Sequence, residues 1–139
     1  VNKVESPFEI QKFVREVRSG DYDSFFRRLQ SFFSDIPYEL ARELELHYQN
    51  VLYIVCKLVG FYVKAEYHTS EGRVDMVLQT DKFIYIMEFK LNGTAEEALR
   101  QIEDKHYARP FATDSRKLFK IGVNFSVETR NIEKWLVEN

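Results

Sequence analysis

An apolar segment near the middle of the chain ends directly in charged residues. Residues 83–87 read Phe-Ile-Tyr-Ile-Met, a run of β-branched and aromatic side chains that predicts a buried strand. Glu88 and Lys90 follow it, with only Phe89 between them. Because unpaired charge is costly away from water, charges at such a position are paired, bind a metal or take part in chemistry. The fold must therefore place charged groups at the end of an internal strand.

A second strand is predicted upstream, over residues 73–78, with a chain reversal at residues 81–82. An even-numbered loop at that reversal places Asp75 directly opposite Glu88, whereas an odd-numbered loop breaks this pairing. Opposed residues have Cβ atoms about 4.5–5.5 Å apart, so two carboxylates placed in this way repel unless a cation lies between them. Lys90 shares the face of Glu88 because strand side chains alternate. We therefore predict a divalent metal between the two carboxylates, with Lys90 beside it.

Composition describes one ordinary globular domain. The chain has 139 residues, of which 45% are hydrophobic and 30% charged, enough for a real core. The net charge of −2 does not indicate nucleic-acid binding, so any polyanion must be met by a local patch or through metal ions. No apolar run is long enough to span a membrane and no signal-peptide pattern is present, so we expect a cytoplasmic protein without a membrane partner.

Cysteine and histidine give no sign of a zinc site. Cys56 is the one cysteine and falls on the apolar stripe of a predicted helix, which indicates a buried side chain. His47, His68 and His106 are scattered without zinc-ligand spacing.

The first part of the chain, residues 1–37, predicts a pair of amphipathic helices. A capping box with proline at the first helical position, at residues 6–9, opens a helix that Gly20 ends. A phenylalanine-rich helix follows over residues 23–33 and stops before Pro37. We expect the pair to pack on the core or on a neighbouring domain. The chain begins with valine rather than methionine, which we interpret as a piece cut from a longer protein.

The remaining residues predict an α/β fold. A third helix runs over residues 38–59, with Glu45 at the edge of its apolar stripe and Glu39 and Glu43 as competitors for the same role. The later elements are strands at 61–68, 73–79 and 83–90, a helix from the Thr94/Glu97 capping box to Ala108, and strands at 118–125 and 132–137. This order predicts a central mixed sheet flanked by helices.

Four elements in this order carry polar residues: a helix with Glu45, a hairpin with Asp75, the Glu88-Phe89-Lys90 triplet and a helix with Gln101. Together they resemble the PD-(D/E)XK nuclease superfamily over residues 38–125. The segments Gly72–Asp75, Ile86–Lys90, Ala98–Ile102 and Gly122–Ser126 are similar, more narrowly, to the nuclease-like domain found behind AAA-type ATPase domains in bacterial proteins. The resemblance implies a restriction-endonuclease-like core (α-β-β-β-α-β) over residues 38–139. It also implies that residues 1–37 link this core to an upstream ATPase domain.

The resemblance further implies the ligands of a metal site. Asp75 and Glu88 would bind Mg²⁺ or Mn²⁺, with the backbone carbonyl of Phe89 as a further oxygen ligand. Glu45 would reach in from its helix and complete the site. The implied activity is metal-assisted hydrolysis of a phosphodiester in nucleic acid, with DNA as the expected substrate.

Two further residues receive roles from the resemblance. Lys90 would orient or activate the attacking water or stabilise charge on the phosphate, and Gln101 would support the site from the following helix. The sequence departs from the family pattern at Val74, where the superfamily name has proline. Some relatives carry tyrosine four residues after the helical glutamine; here that position is Lys105, and Tyr107 is predicted on a different helix face.

Other interpretations stay open. Asp75, Glu88 and Lys90 could form a structural ion cluster, although two carboxylates and one lysine leave a residual negative charge. Arg73 is expected to point to the other face and to pair with surface acids, and Trp135 to serve packing. The alternative function is a catalytically silent module that binds nucleic acid or regulates a larger ATPase-containing protein, and a homodimer is compatible with either function.

Overall fold

The structure, a computed structural model, describes residues 10–36, 44–70 and 72–139, with the backbone alone for residues 44–47. The elements, in chain order, are α1 (Ile10–Ser19), α2 (Tyr22–Ser34), α3 (Leu44–Val59), β1 (Lys64–Ser70), β2 (Arg73–Gln79), β3 (Phe83–Leu91), α4 (Ala95–Asp104), β4 (Lys117–Ser126) and β5 (Asn131–Glu138). The capping box predicted at residues 6–9 and the predicted helix start at Tyr38 lie outside the described residues. Among the helices that are described, none has the length and apolar character to cross a membrane.

The five strands form one mixed sheet in the order β1-β2-β3-β4-β5. Strands β1, β2 and β3 are antiparallel neighbours, β3 and β4 are parallel, and β4 and β5 are antiparallel. A parallel pair needs a crossover connection, and α4 supplies it between β3 and β4. The chain therefore adopts the predicted α/β architecture, a restriction-endonuclease-like fold with helices on both faces of the sheet and the N-terminal helices present.

Helices α1, α2 and α3 cover one face of the sheet, where aromatic rings form much of the core. Phe13 and Phe25 join α1 to α2 edge to face, with ring centroids 5.2 Å apart. Trp135 of β5 stacks on Phe26 at 5.3 Å, which confirms its predicted packing role. Cys56 is also buried, as predicted, and burial raises the pKa of its thiol to about 11.

The other face of the sheet is covered by α4. Ile84 and Ile86 of β3 and Ile102 of α4 form a small, fully enclosed apolar cluster there. The helix lies directly on β4 at Gly122, where an added Cβ would be 2.3 Å from the carbonyl oxygen of Ala95. Since strand side chains alternate, the row that contains Ile84 and Ile86 continues to Glu88. The apolar cluster therefore ends in a carboxylate, beneath the start of α4.

Two predicted boundaries were wrong. Helix α4 ends at Asp104 rather than Ala108, because His106 adopts a left-handed conformation (φ 58°) that turns the chain back toward the sheet. Strand β1 begins at Lys64 rather than Phe61, because the intervening residues close the end of α3. In that closure the amide of Tyr62 donates to the carbonyl of Val59 at 2.9 Å.

Candidate metal and active site

The β2–β3 hairpin sets the position of the two carboxylates. Thr80 and Phe83 close the turn, with the amide of Thr80 donating to the carbonyl of Phe83 at 2.8 Å. The hydroxyl oxygen of Thr80 accepts from the amides of Lys82 and Phe83, which holds the reversal without glycine. In the resulting register Asp75 pairs with Glu88, so the predicted pairing is confirmed.

Glu88 is a fully buried carboxylate. Within the described part of the chain, neither of its side-chain oxygens has a hydrogen-bond partner, and neither does Oδ1 of Asp75. The pKa of Glu88 is raised to about 8, first by burial and then by the negative charge of Asp75, whereas Arg73 and Lys90 act in the opposite direction. Three buried carboxylate oxygens of this acidic pair thus lack the hydrogen-bond donors that such atoms normally have.

Arg73 lies on the same face as the carboxylates, so the prediction that it points to the other face was wrong. Its Nε is 3.5 Å from Oε2 of Glu88. Arg73 shares this face because it is two residues from Asp75, and residues two apart in a strand point the same way. With Lys90, the site holds two acidic and two basic side chains. The period of the strand could have identified Arg73 from the sequence.

Tyr107 is a further site residue, although the sequence predicted it on a different helix face. Its hydroxyl donates to Oδ2 of Asp75 at 3.0 Å. The helix has already ended at that point, and the left-handed turn at His106 returns the chain to the sheet. Burial, followed by the charge of Asp75, raises the pKa of Tyr107 to about 12, so the phenol stays protonated and remains a donor at neutral pH.

Lys90 is held where β3 ends by a short loop built around Asn124. The side-chain oxygen of Asn124 accepts from the amide of Gly93 at 2.7 Å, and its amide nitrogen donates to Glu133 at 2.6 Å. Lys90 pairs with Asn124 across β3 and β4. Its side chain folds over Gly93, where an added Cβ would be 2.8 Å from Cε of the lysine. Asn124, which is only 3% exposed, therefore shapes the loop against which Lys90 packs.

The remaining predicted site residues occupy different places. Gln101 lies on α4 above the same face, and its buried amide oxygen has no hydrogen-bond partner. No hydrogen bond in the described chain joins Gln101 to Asp75 or Glu88. The ring of Phe89 points into the core on the opposite face, 6.2 Å from Phe26, and its carbonyl stays a predicted ligand. The side chain of Glu45 lies outside the described residues.

The residues of this site fit a hard divalent cation. Their free donors are carboxylate oxygens, which suit Mg²⁺ and Mn²⁺ rather than softer metals. Across residues 10–36, 48–70 and 72–139, no group of three or more His, Cys, Asp or Glu side chains is arranged around one point. His68 pairs with Asp75 across β1 and β2 but is exposed. Asp75 and Glu88 would therefore supply only part of a coordination shell for such a cation, and further oxygens would have to come from the backbone, water or a substrate.

The sheet, the covering helix and the buried acidic pair define a restriction-endonuclease-like domain. A family model described as the PD-(D/E)XK nuclease superfamily matches residues 43–135. The chain belongs to this superfamily, and it is a nuclease-like domain; members of this superfamily generally use divalent metals.

One relative among curated proteins is 30% identical over 128 residues, which cover 87% of this chain. It is named "Uncharacterized protein in vnfD 5'region" and comes from Azotobacter chroococcum mcd 1. The chain spans only 25% of that relative's length. No solved structure matches the chain significantly.

Proposed function

We propose that this domain is a nuclease that hydrolyses phosphodiester bonds of DNA with the help of Mg²⁺ or Mn²⁺. One observation carries the proposal: Asp75 and Glu88 are paired across the hairpin, and three of their buried oxygens have no hydrogen-bond partner. A structure that buries carboxylates in this way, without donors, favours a cation as their natural partner. Membership of the PD-(D/E)XK superfamily supports the same reaction class.

The roles of these residues are proposed from their contacts and, for Lys90 and Gln101, from the family resemblance. Asp75 and Glu88 would hold the metal, which when bound acidifies a coordinated water and neutralises charge on the phosphate. Tyr107 keeps one oxygen of Asp75 occupied, which leaves the other oxygen free to act as a metal ligand. Lys90 would orient the attacking water or stabilise the phosphate, and Gln101 would support the site from α4.

Arg73 adds a role that the family resemblance did not supply. In the structure its Nε faces Glu88, where it offsets part of the buried negative charge. If Glu88 bound a cation instead, the guanidinium of Arg73 would be free to contact a phosphate group at the same site. Arginine is well suited to phosphate because its planar group donates two parallel hydrogen bonds. We therefore assign Arg73 to the phosphate side of the site.

A second function has its own supporting observation. With Arg73 included, the site holds two acidic and two basic side chains, so no metal is needed to offset the formal negative charge of the two carboxylates. Such a cluster could be structural, and the domain would then be a catalytically silent module that binds nucleic acid or regulates a larger protein. The unpartnered carboxylate oxygens favour the nuclease, because a satisfied structural cluster would leave few of them.

We also propose that the domain is part of a longer protein. The relative from Azotobacter chroococcum is about four times longer than the matched region, which supports a domain that works within a larger protein. We propose that an ATPase domain stands upstream, on the strength of the motif resemblance. A homodimer would allow cleavage of both strands of a duplex, since a single site cuts one strand at a time.

The deciding experiment is cleavage of plasmid, single-stranded DNA and RNA in EDTA, Ca²⁺, Mg²⁺ and Mn²⁺. Wild type is compared with Glu88→Ala and Lys90→Ala, and with Lys57→Ala as the matched control, an exposed lysine on α3. We expect cutting that requires Mg²⁺ or Mn²⁺, persists in the control and disappears in both site variants. The preferred substrate then identifies the class of nucleic acid.

The silent module gives a different result. A folded protein that binds Mn²⁺ but cuts none of the substrates would contradict autonomous nuclease activity. A thermal shift with Mn²⁺ completes the comparison, because a ligand bound only by the folded state must raise its stability. No shift would leave a structural ion cluster as the explanation of the four charges.

A further inference from the structure

A polar cavity lies at the end of the β1–β2 pair that is remote from the carboxylate site. It has a volume of about 580 Å³, within the range of small-molecule sites. Its lining includes Arg18 of α1, Tyr62 from the α3–β1 connection and Lys64 of β1. Gln79 at the end of β2, Asp81 and Lys82 of the β2–β3 turn and Arg116 just before β4 also line it. Four of these side chains are cationic and one is acidic. Because the whole chain has a net charge of −2, this excess of positive charge is local.

The two arginines are held in place by backbone carbonyls. Arg18 donates to the carbonyl of Tyr62 at 2.9 Å, and Arg116 donates to the carbonyl of Thr80 at 2.9 Å. Arg116 is also fixed by the amide oxygen of Gln79 at 3.0 Å and by Asp114 at 2.7 Å. The anchor on Arg18 places its guanidinium before any ligand arrives, which lowers the entropic cost of binding an anion, whereas the charge of Arg116 is already paired with Asp114.

The two lysines are exposed and bring positive charge that the protein does not neutralise. Among the residues that the structure describes, no ion pair involves Lys64 or Lys82. The lysines enter the cavity from different elements, Lys64 from β1 and Lys82 from the β2–β3 turn. A ligand with several anionic oxygens could bridge them, since each ammonium offers three donors.

Tyr62 adds an aromatic surface to the same cavity. Its side chain is 42% exposed, although its hydroxyl accepts from Gln11 at 3.0 Å and holds the ring in position. Bases stack on such rings regardless of sequence. The fixed guanidinium of Arg18, the two lysines without ion pairs and the exposed ring of Tyr62 together match a nucleotide, with phosphate among the cations and base against the ring.

We propose that this cavity binds a phosphate-bearing nucleotide, either free or as part of a strand. The cavity is separate from the carboxylate site, because Gln79 is four residues along β2 from Asp75, a distance of about 13 Å. Binding there does not depend on the metal-assisted reaction. The inference therefore goes beyond the proposed function and can succeed or fail by itself.

The test is calorimetric titration in EDTA, where metal-dependent cleavage is silent. The probes are inorganic tripolyphosphate, ATP and a short single-stranded oligonucleotide. Wild type is compared with Lys64→Gln/Lys82→Gln and with the charge-matched control Lys57→Gln/Lys105→Gln, whose lysines are exposed and outside the cavity. We expect the first pair of changes to weaken tripolyphosphate binding by about tenfold or more, and the control pair to leave it unchanged.

Each outcome decides the proposal. Tighter binding of ATP than of the oligonucleotide identifies a free nucleotide as the ligand, and the reverse identifies a strand. Tyr62→Ala should weaken both of these probes and spare tripolyphosphate. Absence of saturable binding by wild type, or equal weakening by the control pair, would overturn the proposal. Circular dichroism spectra of the variants check that a loss of binding does not come from unfolding.

Discussion

Tyr107 donates a hydrogen bond to Asp75 across a separation of 32 residues, with the phenol oxygen 3.0 Å from Oδ2. The contact ties the turn after α4 to the second strand of the sheet. Because Oδ1 of the same carboxylate has no partner in the described chain, the two oxygens of Asp75 have different surroundings. One is held by the protein and the other is available, which is the arrangement expected of an oriented metal ligand.

Tyr107→Phe tests this orientation. The change removes one hydrogen bond and keeps the ring, so the loss of stability should be about 1 kcal/mol. Affinity for Mn²⁺ should fall about 10- to 100-fold, as for other residues that orient metal ligands. Tyr62→Phe is the matched control, because its hydroxyl accepts from Gln11 at the far end of the sheet. Equal Mn²⁺ affinity in both variants, measured by calorimetry, would rule out an orienting role.

Glu88 should make the metal-free protein less stable as pH rises. Its pKa is raised from 4.5 to about 8 in the folded state, so the folded protein binds the extra proton between these values. The stabilisation from this group is complete below pH 4.5 and is lost as pH rises through about 8. Urea unfolding in EDTA at several pH values measures this trend, which Glu88→Gln should reduce. A steeper decline in Glu88→Gln than in wild type would contradict the assignment.

Arg73→Gln separates the nuclease from the structural cluster. Removing the guanidinium leaves Asp75 and Glu88 opposed by Lys90 alone, so a divalent cation meets less repulsion. We expect Mn²⁺ to bind about tenfold more tightly while cleavage falls, because the phosphate contact is lost. Arg100→Gln, an exposed arginine on α4, is the control. A variant that is destabilised and shows no Mn²⁺ binding would instead support a structural role for the four charges.

Gly122→Ala should destabilise the domain by separating α4 from β4. The new Cβ would lie 2.3 Å from the carbonyl oxygen of Ala95 and 2.5 Å from the amide nitrogen of Leu99, and neither backbone atom can move alone. Overpacking of this kind costs about 1–3 kcal/mol or more. Gly72→Ala is the control: it has open space but a φ of +67°, which costs about 1–2 kcal/mol. The free energy of unfolding is measured by chemical denaturation. A smaller loss of stability in Gly122→Ala than in Gly72→Ala would contradict this packing.

The sequence was most informative where one local rule decided the geometry. An even-numbered turn between β2 and β3, one of the two possibilities that the sequence left open, pairs Asp75 with Glu88 as predicted, and the Thr94/Glu97 capping box marks the start of α4 correctly. The order of helices and strands predicted the mixed sheet, because a parallel strand pair needs a crossover. These features depend on neighbouring residues and need no knowledge of the rest of the fold.

The sequence was least informative where tertiary contacts decided the geometry. No sequence signal around His106 indicates a left-handed residue. The sequence therefore predicts too long a helix α4 and places Tyr107 on the wrong face. The cationic cavity is assembled from four separate parts of the chain, which no single motif could reveal. Arg73 is a different case, because the two-residue period of the strand is enough to place it on the face of Asp75.

The hairpin also has a consequence for how the site is assembled. Asp75 and Glu88 are only 13 positions apart, and one tight turn brings them together, so closing this contact costs little chain entropy. Tyr107 and Gln101 arrive later in the chain, on the crossover connection. The acidic pair therefore forms within the β2–β3 hairpin alone, whereas support from Gln101 and Tyr107 requires the crossover connection to pack on the sheet. Substitutions in the crossover connection can therefore change the metal affinity or the activity of the site without moving its two carboxylates.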